Sequence, residues 1–260
     1  MTPERERRLR IALPLASLVA FFLLWSLYVR VSAVSTFVLP APEKIAVAFW
    51  AQVMDASVWR HVRVTVIETL AGFASAVAAG VALGTAMAKL PPLEWALRPF
   101  VVALQLVPKI ALAPLFVLWF GFGLESKIVI SAVLAFFPVF ANTLAAMKSI
   151  DARDREVFAS LRAGPWATFR LLELPCALPV ILTGCEVAIV LAMIGAIVGE
   201  FIGGNAGLGY LAVARLQDLK VDALFAVVLL LTLIGLAMYG AVALLRRYLV
   251  PWHQTAGTAI

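Results

Sequence analysis

The chain has 260 residues, 63% of them hydrophobic and 14% charged, with a mean hydropathy of +1.01 and a formal net charge of +6. Soluble domains carry roughly a quarter charged residues, and a soluble fold this apolar would expose large sticky patches, so the bilayer is the solvent that fits. The cations fall between apolar runs rather than on one polar face, which excludes a nucleic-acid-binding domain and reads as topogenic charge.

A helix needs about 20 residues to cross a hydrocarbon core of roughly 30 Å. The first run of that order is Ile11 to Val29, preceded by a tail, residues 1–10, that holds Arg5, Arg7, Arg8 and Arg10. Val31-Ser32-Ala33 resembles a signal-peptide cleavage site, but the apolar run is long for a signal peptide and Arg30 abuts the site, so an uncleaved span is expected. Residues 30–63 form an outer segment, broken at Pro40 and Pro42, in which Glu43 to Val53 is patterned as an interfacial amphipathic helix.

The five further spans of a core at 64–248 follow. Val64 to Ala88 carries Gly72, Ala76, Gly80, Gly84 and Ala88, a small-residue stripe that lets another helix approach closely. Phe100 to Phe120 contains Pro108, Lys109 and Pro114, and Ile128 to Met147 has Pro138 at its middle. Pro179 to Glu200 leads into the Gly-rich stretch Gly203-Gly204-Asn205-Ala206-Gly207-Leu208-Gly209, read as a re-entrant turn near an outer gate. Ala223 to Leu245 ends at Arg246 and Arg247, followed by a tail at 249–260.

Six spans put both termini on one side. With the N-terminus inside, inner segments hold thirteen Lys and Arg against seven outside, Lys109 lying within the membrane; the bias predicts cytoplasmic termini and a cytoplasmic segment 148–178. In that segment Asp151 is placed to cap a helix running to about Ala163, with Asp154 and Glu156 where the helix dipole favours acids. Gly164 permits a turn, Pro165 suits the first position of the next helix, and a short second helix, Trp166 to Leu174, stops at Pro175.

Ala159, Gly164, Leu174 and Pro175 give this segment the pattern of the EAA loop of ABC-transporter permeases, with Glu156 slightly displaced from the acidic place and Ser160 where a second Ala is common. LPAPEKIAVAF, LVPKIALAPLFVLWFGFG and GEFIGGNAGLGYL extend the likeness over about Leu39 to Trp252. The chain therefore resembles the sulfonate, taurine, nitrate and thiamine-precursor branch of binding-protein-dependent importers. The resemblance implies an all-α integral inner-membrane subunit of the type I ABC importer permease fold, with six transmembrane helices and a cytoplasmic coupling loop. It implies a homodimeric path for a small anionic or heterocyclic solute, delivered by a periplasmic binding protein. ATP and Mg would sit on separate ATPase subunits, docked by Glu156, Ala159, Ser160, Ala163, Gly164, Pro165 and Trp166. The chain itself would be no enzyme and would bind no cofactor, no metal and no nucleic acid; its remaining partner is membrane lipid.

The residues agree on one point: no GxxxxGK[ST] phosphate loop occurs in the sequence. Cys176 and Cys185 lack metal-ligand spacing, and His61 and His253 stand apart, which leaves no cluster for a membrane enzyme. A stand-alone secondary transporter or channel would show inverted repeats, and the halves differ. Ionisable residues in apolar spans mark functional sites. Glu68 and Glu200, near span ends, are expected to reach water; Lys109 and Glu186 lie deeper and either pair with one another or line the cavity. Path or gate candidates are thus Pro108, Lys109, Glu186, Glu200, Gly207 and Gly209, and a lysine at 109 would attract an anion.

Overall fold

In hydrocarbon each peptide N–H and C=O must be satisfied within its own segment, which helices alone achieve for a single chain crossing without a closed barrel. The computed structural model describes residues 3–32 and 35–252, and among these there is no strand. The helices are α1 (Pro3–Val31), α2 (Pro42–Met54), α3 (Ala56–Lys89), α4 (Pro91–Leu106), α5 (Ala113–Phe120), α6 (Leu124–Lys148), α7 (Ala152–Ser160), α8 (Pro165–Thr168), α9 (Leu174–Gly203), α10 (Leu208–Gln217) and α11 (Val221–Leu249). Ala33 of the cleavage-like site and His253 of the C-terminal tail lie outside the described residues.

Five helical stretches are long and apolar enough to cross a bilayer, and the bent pair α4–α5 makes a sixth span. The fold is that of an all-α, six-span membrane protein. Two boundaries differ from the sequence reading. Helix α3 begins at Ala56, so residues 56–63 are its first turns rather than part of an outer loop. The third span is not one rod: Pro91–Leu106 and Lys109–Phe120 meet at 85°. Pro108 supplies the cause, since it has no N–H to continue α4 and pushes Val107 into the extended region, at φ −66° and ψ 129°.

Two compact units divide the chain. One contains residues 1–60 and 211–232. Within it Trp25 meets Phe225 at 6.4 Å, Gln52 Nε2 donates to the Ala223 carbonyl at 2.7 Å, and Ser26 and Arg30 both donate to Glu43 at 2.7 Å.

The other contains residues 61–210 and 233–260. Its core is built from small side chains: Ala76, Ala135, Ala146, Ala177, Ala188 and Ala192 cluster with Val139, Met147, Ile181 and Cys185. Helices α3 and α6 run parallel, with α9 antiparallel to both. The stripe on α3 explains the approach. A Cβ at Gly72 would drive into the Ser131 side chain, one at Gly80 would lie 3.0 Å from Val139, and one at Gly84 2.8 Å from Thr143. Helix α9 presses on α6 in the same way, through Gly184 against Asn142 and Gly195 against the Ser131 backbone. Apolar tails of lipid offer no hydrophobic drive between helices, so close van der Waals contact of this kind holds them together.

Candidate functional site

The segment between α6 and α9 is built to hold a shape. Asp151 Oδ1 accepts from the Arg153 N–H at 3.0 Å and caps α7. The helix ends at Ser160, three residues before the expected Ala163. The Ala163 N–H reaches the Phe158 carbonyl at 3.0 Å and the Arg162 N–H reaches that of Ala159 at 2.9 Å. This is the paired closure that terminates helices on a left-handed residue. That residue is Arg162, at φ 55°. Gly164, expected to supply the conformational freedom, sits at φ −69° and ψ 165°, which any residue adopts. A Cβ added there would meet nothing within 4 Å.

Pro165 opens α8, as expected. The second short helix does not stop at Pro175. A π-turn, Phe169–Glu173, joins α8 to α9, and Pro175 falls in the first turn of α9. Glu156, Ala159, Ser160, Gly164, Pro165 and Trp166 are exposed and Ala163 is half-buried. Four large apolar side chains also project from this polar segment: Val157 is 55% exposed, Leu161 72%, Trp166 71% and Leu171 65%.

A buried carboxylate anchors that segment. Glu173 lies 2.5 Å from Lys89 Nζ at the end of α3 and 3.7 Å from Arg155 Nη2 of α7. Arg155 also donates to the Met147 carbonyl of α6 at 2.9 Å, and Lys89 lies over the Phe169 ring at 4.6 Å. One cluster thus ties the loop to α3, α6 and α9. Sequence reasoning passed over it, though an acid directly before Leu174-Pro175 and a lysine ending a span were its visible signs.

A second polar cluster occupies the opposite ends of the same helices. Glu200, expected to reach water, is 1% exposed, and Glu68 is 0% exposed. Glu200 accepts from Thr65 Oγ1 at 2.6 Å and from the Gly209 N–H at 2.5 Å. Thr65 Oγ1 in turn accepts from the Leu208 N–H at 2.8 Å, and His61 Nδ1 from the Gly207 N–H at 3.1 Å. Gly207 has φ +103° and a Cβ there would overlap the Glu200 carboxylate. Both demands exclude a side chain. The Gly-rich stretch therefore folds around Glu200. Lys127, one of the seven cations counted to the outer segments, is buried and lies 3.6 Å from Glu68.

Lys109 and Glu186 do not pair. Arg246 binds both oxygens of Glu186 at 3.1 and 3.2 Å. Lys109 opens the 3₁₀ turn after Pro108, donates to the Gln105 carbonyl at 3.2 Å and lies over the Phe137 ring at 4.4 Å. It lines a cleft of 630 Å³ with Gln105, Pro108, Leu134, Phe137 and Leu191.

Residues 76–252 match the model of the family described as the binding-protein-dependent transport system inner membrane component. The chain belongs to that family. The permease is 36% identical over 239 residues to the riboflavin transport system permease protein of Chloroflexus aurantiacus, covering 92% of this chain and 89% of the relative. It is 32% identical over 241 residues to the formylaminopyrimidine transport permease protein of Halalkalibacterium halodurans, covering 93% and 96%. Among solved structures, the inward-facing MetNI methionine ABC transporter matches with a TM-score of 0.60 at 20% identity, over 74% of this chain and 94% of that one. The likeness supports the fold, and family and relatives together make the chain an integral-membrane permease subunit of an ATP-driven importer of small solutes.

Proposed function

We propose that two copies of this permease form the translocation path of an inner-membrane importer, with both termini and residues 148–178 in the cytoplasm. The turn from Glu156 to Trp166 seats on an ATP-hydrolysing subunit that holds ATP and Mg, so hydrolysis belongs to that partner and not to this chain. A periplasmic binding protein delivers the solute at the face where the Gly-rich stretch wraps Glu200. Glu200, Gly207 and Gly209 hold that outer turn, Pro108 and Lys109 line the path, and Glu186 braces α9 through Arg246.

One observation carries the docking role. Gly164 needs to be glycine neither for its backbone angles nor for any neighbour within the chain. Beside it, Val157, Leu161 and Trp166 offer apolar surface on a segment outside the spans. A glycine that the described residues give no reason for, next to exposed apolar side chains, fits a partner that presses against it.

The test is purification of the permease with its ATPase. Gly164→Asp is expected to leave the thermal midpoint of the permease alone unchanged and to weaken ATPase co-purification at least about tenfold, because a carboxylate would be buried unpaired at the contact. Gly164→Ala should lose less. An ATPase that stays bound to the aspartate variant, or a permease destabilised by it, would remove the docking assignment.

A further inference from the structure

Several cations next to the spans of the second unit are held by carboxylates. Lys89 has Glu173, Lys127 has Glu68 and Arg246 has Glu186. Lys109 has no carboxylate within ion-pair distance among the described residues. It borders two cavities, of 630 and 470 Å³, and neither is lined by an acid. A cation held in an apolar span region without a countercharge is costly and marks a pathway. Of the three donors of its ammonium, one is spent on the Gln105 carbonyl, while the Phe137 ring takes charge without accepting a conventional hydrogen bond. Donor capacity remains. The backbone is broken here as well, at the 85° bend beside Pro108. Irregular backbone at membrane depth persists only where protein buries it or where it lines a water-filled cavity.

Resting on the permease reading above, we infer that Lys109 is the solute-contacting cation of the path. The solute presents an acceptor oxygen to its ammonium: a sulfonate or carboxylate oxyanion, or the imide carbonyl of a ring. Its apolar or aromatic body lies against Phe137, Leu134 and Leu191, the apolar side of the same cleft. The cleft volume falls within the range of small-molecule sites, which pair a mostly apolar lining with a few placed polar groups. Cationic solutes are rejected, since they would meet a like charge with no acid nearby to offset it.

The experiment uses the assembled importer, permease with its ATPase and binding protein, in proteoliposomes. Uptake is measured for ethanesulfonate, riboflavin and choline. The assembly is expected to take up one of the first two and not choline. Lys109→Met should lower that uptake roughly 10- to 100-fold, the range for losing a hydrogen bond to a charged group. Lys109→Arg should keep most of it, and Phe137→Leu, which retains the charge, should cost a few-fold. ATPase co-purification should not change in any variant. Loss confined to ethanesulfonate identifies an oxyanion, and loss confined to riboflavin an imide. Uptake by Lys109→Met at the wild-type rate overturns the inference, as does uptake of choline, or uptake of neither other probe. Failure of the wild-type permease to hold its ATPase is a separate result, and sinks the permease reading itself.

Discussion

The two polar clusters of the second unit sit at opposite ends of α3, α6 and α9 and solve opposite problems. At the Glu200 end the groups around that carboxylate serve one another: Thr65, the N–H groups of Gly207, Leu208 and Gly209, and His61 close in hydrogen bonds. At the Glu173 end the backbone is equally well closed, but Val157, Leu161 and Trp166 are left more than half exposed. A self-satisfied cluster specifies its own geometry, because each missing member strands a buried partner. An end that closes its backbone and leaves side chains over has its geometry ready for a second molecule. The contrast separates positions whose loss harms folding from positions whose loss harms assembly.

The largest effect is expected at Glu200. Glu200→Ala strands the Gly209 N–H and takes from Thr65 the nearer of its two acceptors, at about 1–3 kcal/mol for a buried group left unmade. The purified permease should show a clearly lowered thermal midpoint. An unchanged midpoint would mean that the cluster does not hold the Gly-rich stretch. A smaller loss is expected from Gly195→Ala, whose Cβ would stand 2.6 Å from the Ser131 Cα. Overpacking of this kind costs about 1–3 kcal/mol, whereas Gly240→Ala, with open space at its Cβ, should be neutral in the same melt. The smallest effect has the opposite sign. Arg162→Gly relieves the left-handed residue of the turn after α7 and should raise stability by about 1 kcal/mol or less. A fall in midpoint would show that the Arg162 side chain contributes more than its backbone conformation costs.

Much of the fold was legible because a bilayer imposes lengths and a helix imposes spacings. The apolar runs, the Asp151 cap, Pro165 at a helix start and the glycine face of α3 all follow from local chemistry. What escaped were pairings across long separations and the shape of one break. Lys127 counts as an outer-segment cation until Glu68, 59 positions earlier, is seen beside it. Glu186 has Arg246 from 60 residues on rather than Lys109. Pro108 announced a disturbance, but not a bend of 85°. The turn after α7 shows the same limit in reverse: Gly164 was the obvious candidate for the unusual backbone, and the chain uses Arg162 instead, since the closing hydrogen bonds from Arg162 and Ala163 fix the angle.

The glycine contacts of α6 carry a mechanical consequence. Ser131 is gripped from one side by Gly72 and from the other by Gly195, and lower down Thr143 meets Gly84 while Asn142 meets Gly184. Fixed at two levels, α3, α6 and α9 behave as a plank rather than three hinged rods. From Glu173 to Glu200 the helix rises about 1.5 Å per residue, roughly 40 Å in all. Tilting such a plank by about 10° would carry one end roughly 7 Å relative to the other, by the same rise. A modest push applied beside Glu173 therefore arrives at Glu200 as a full-sized stroke, with little of it lost to bending on the way.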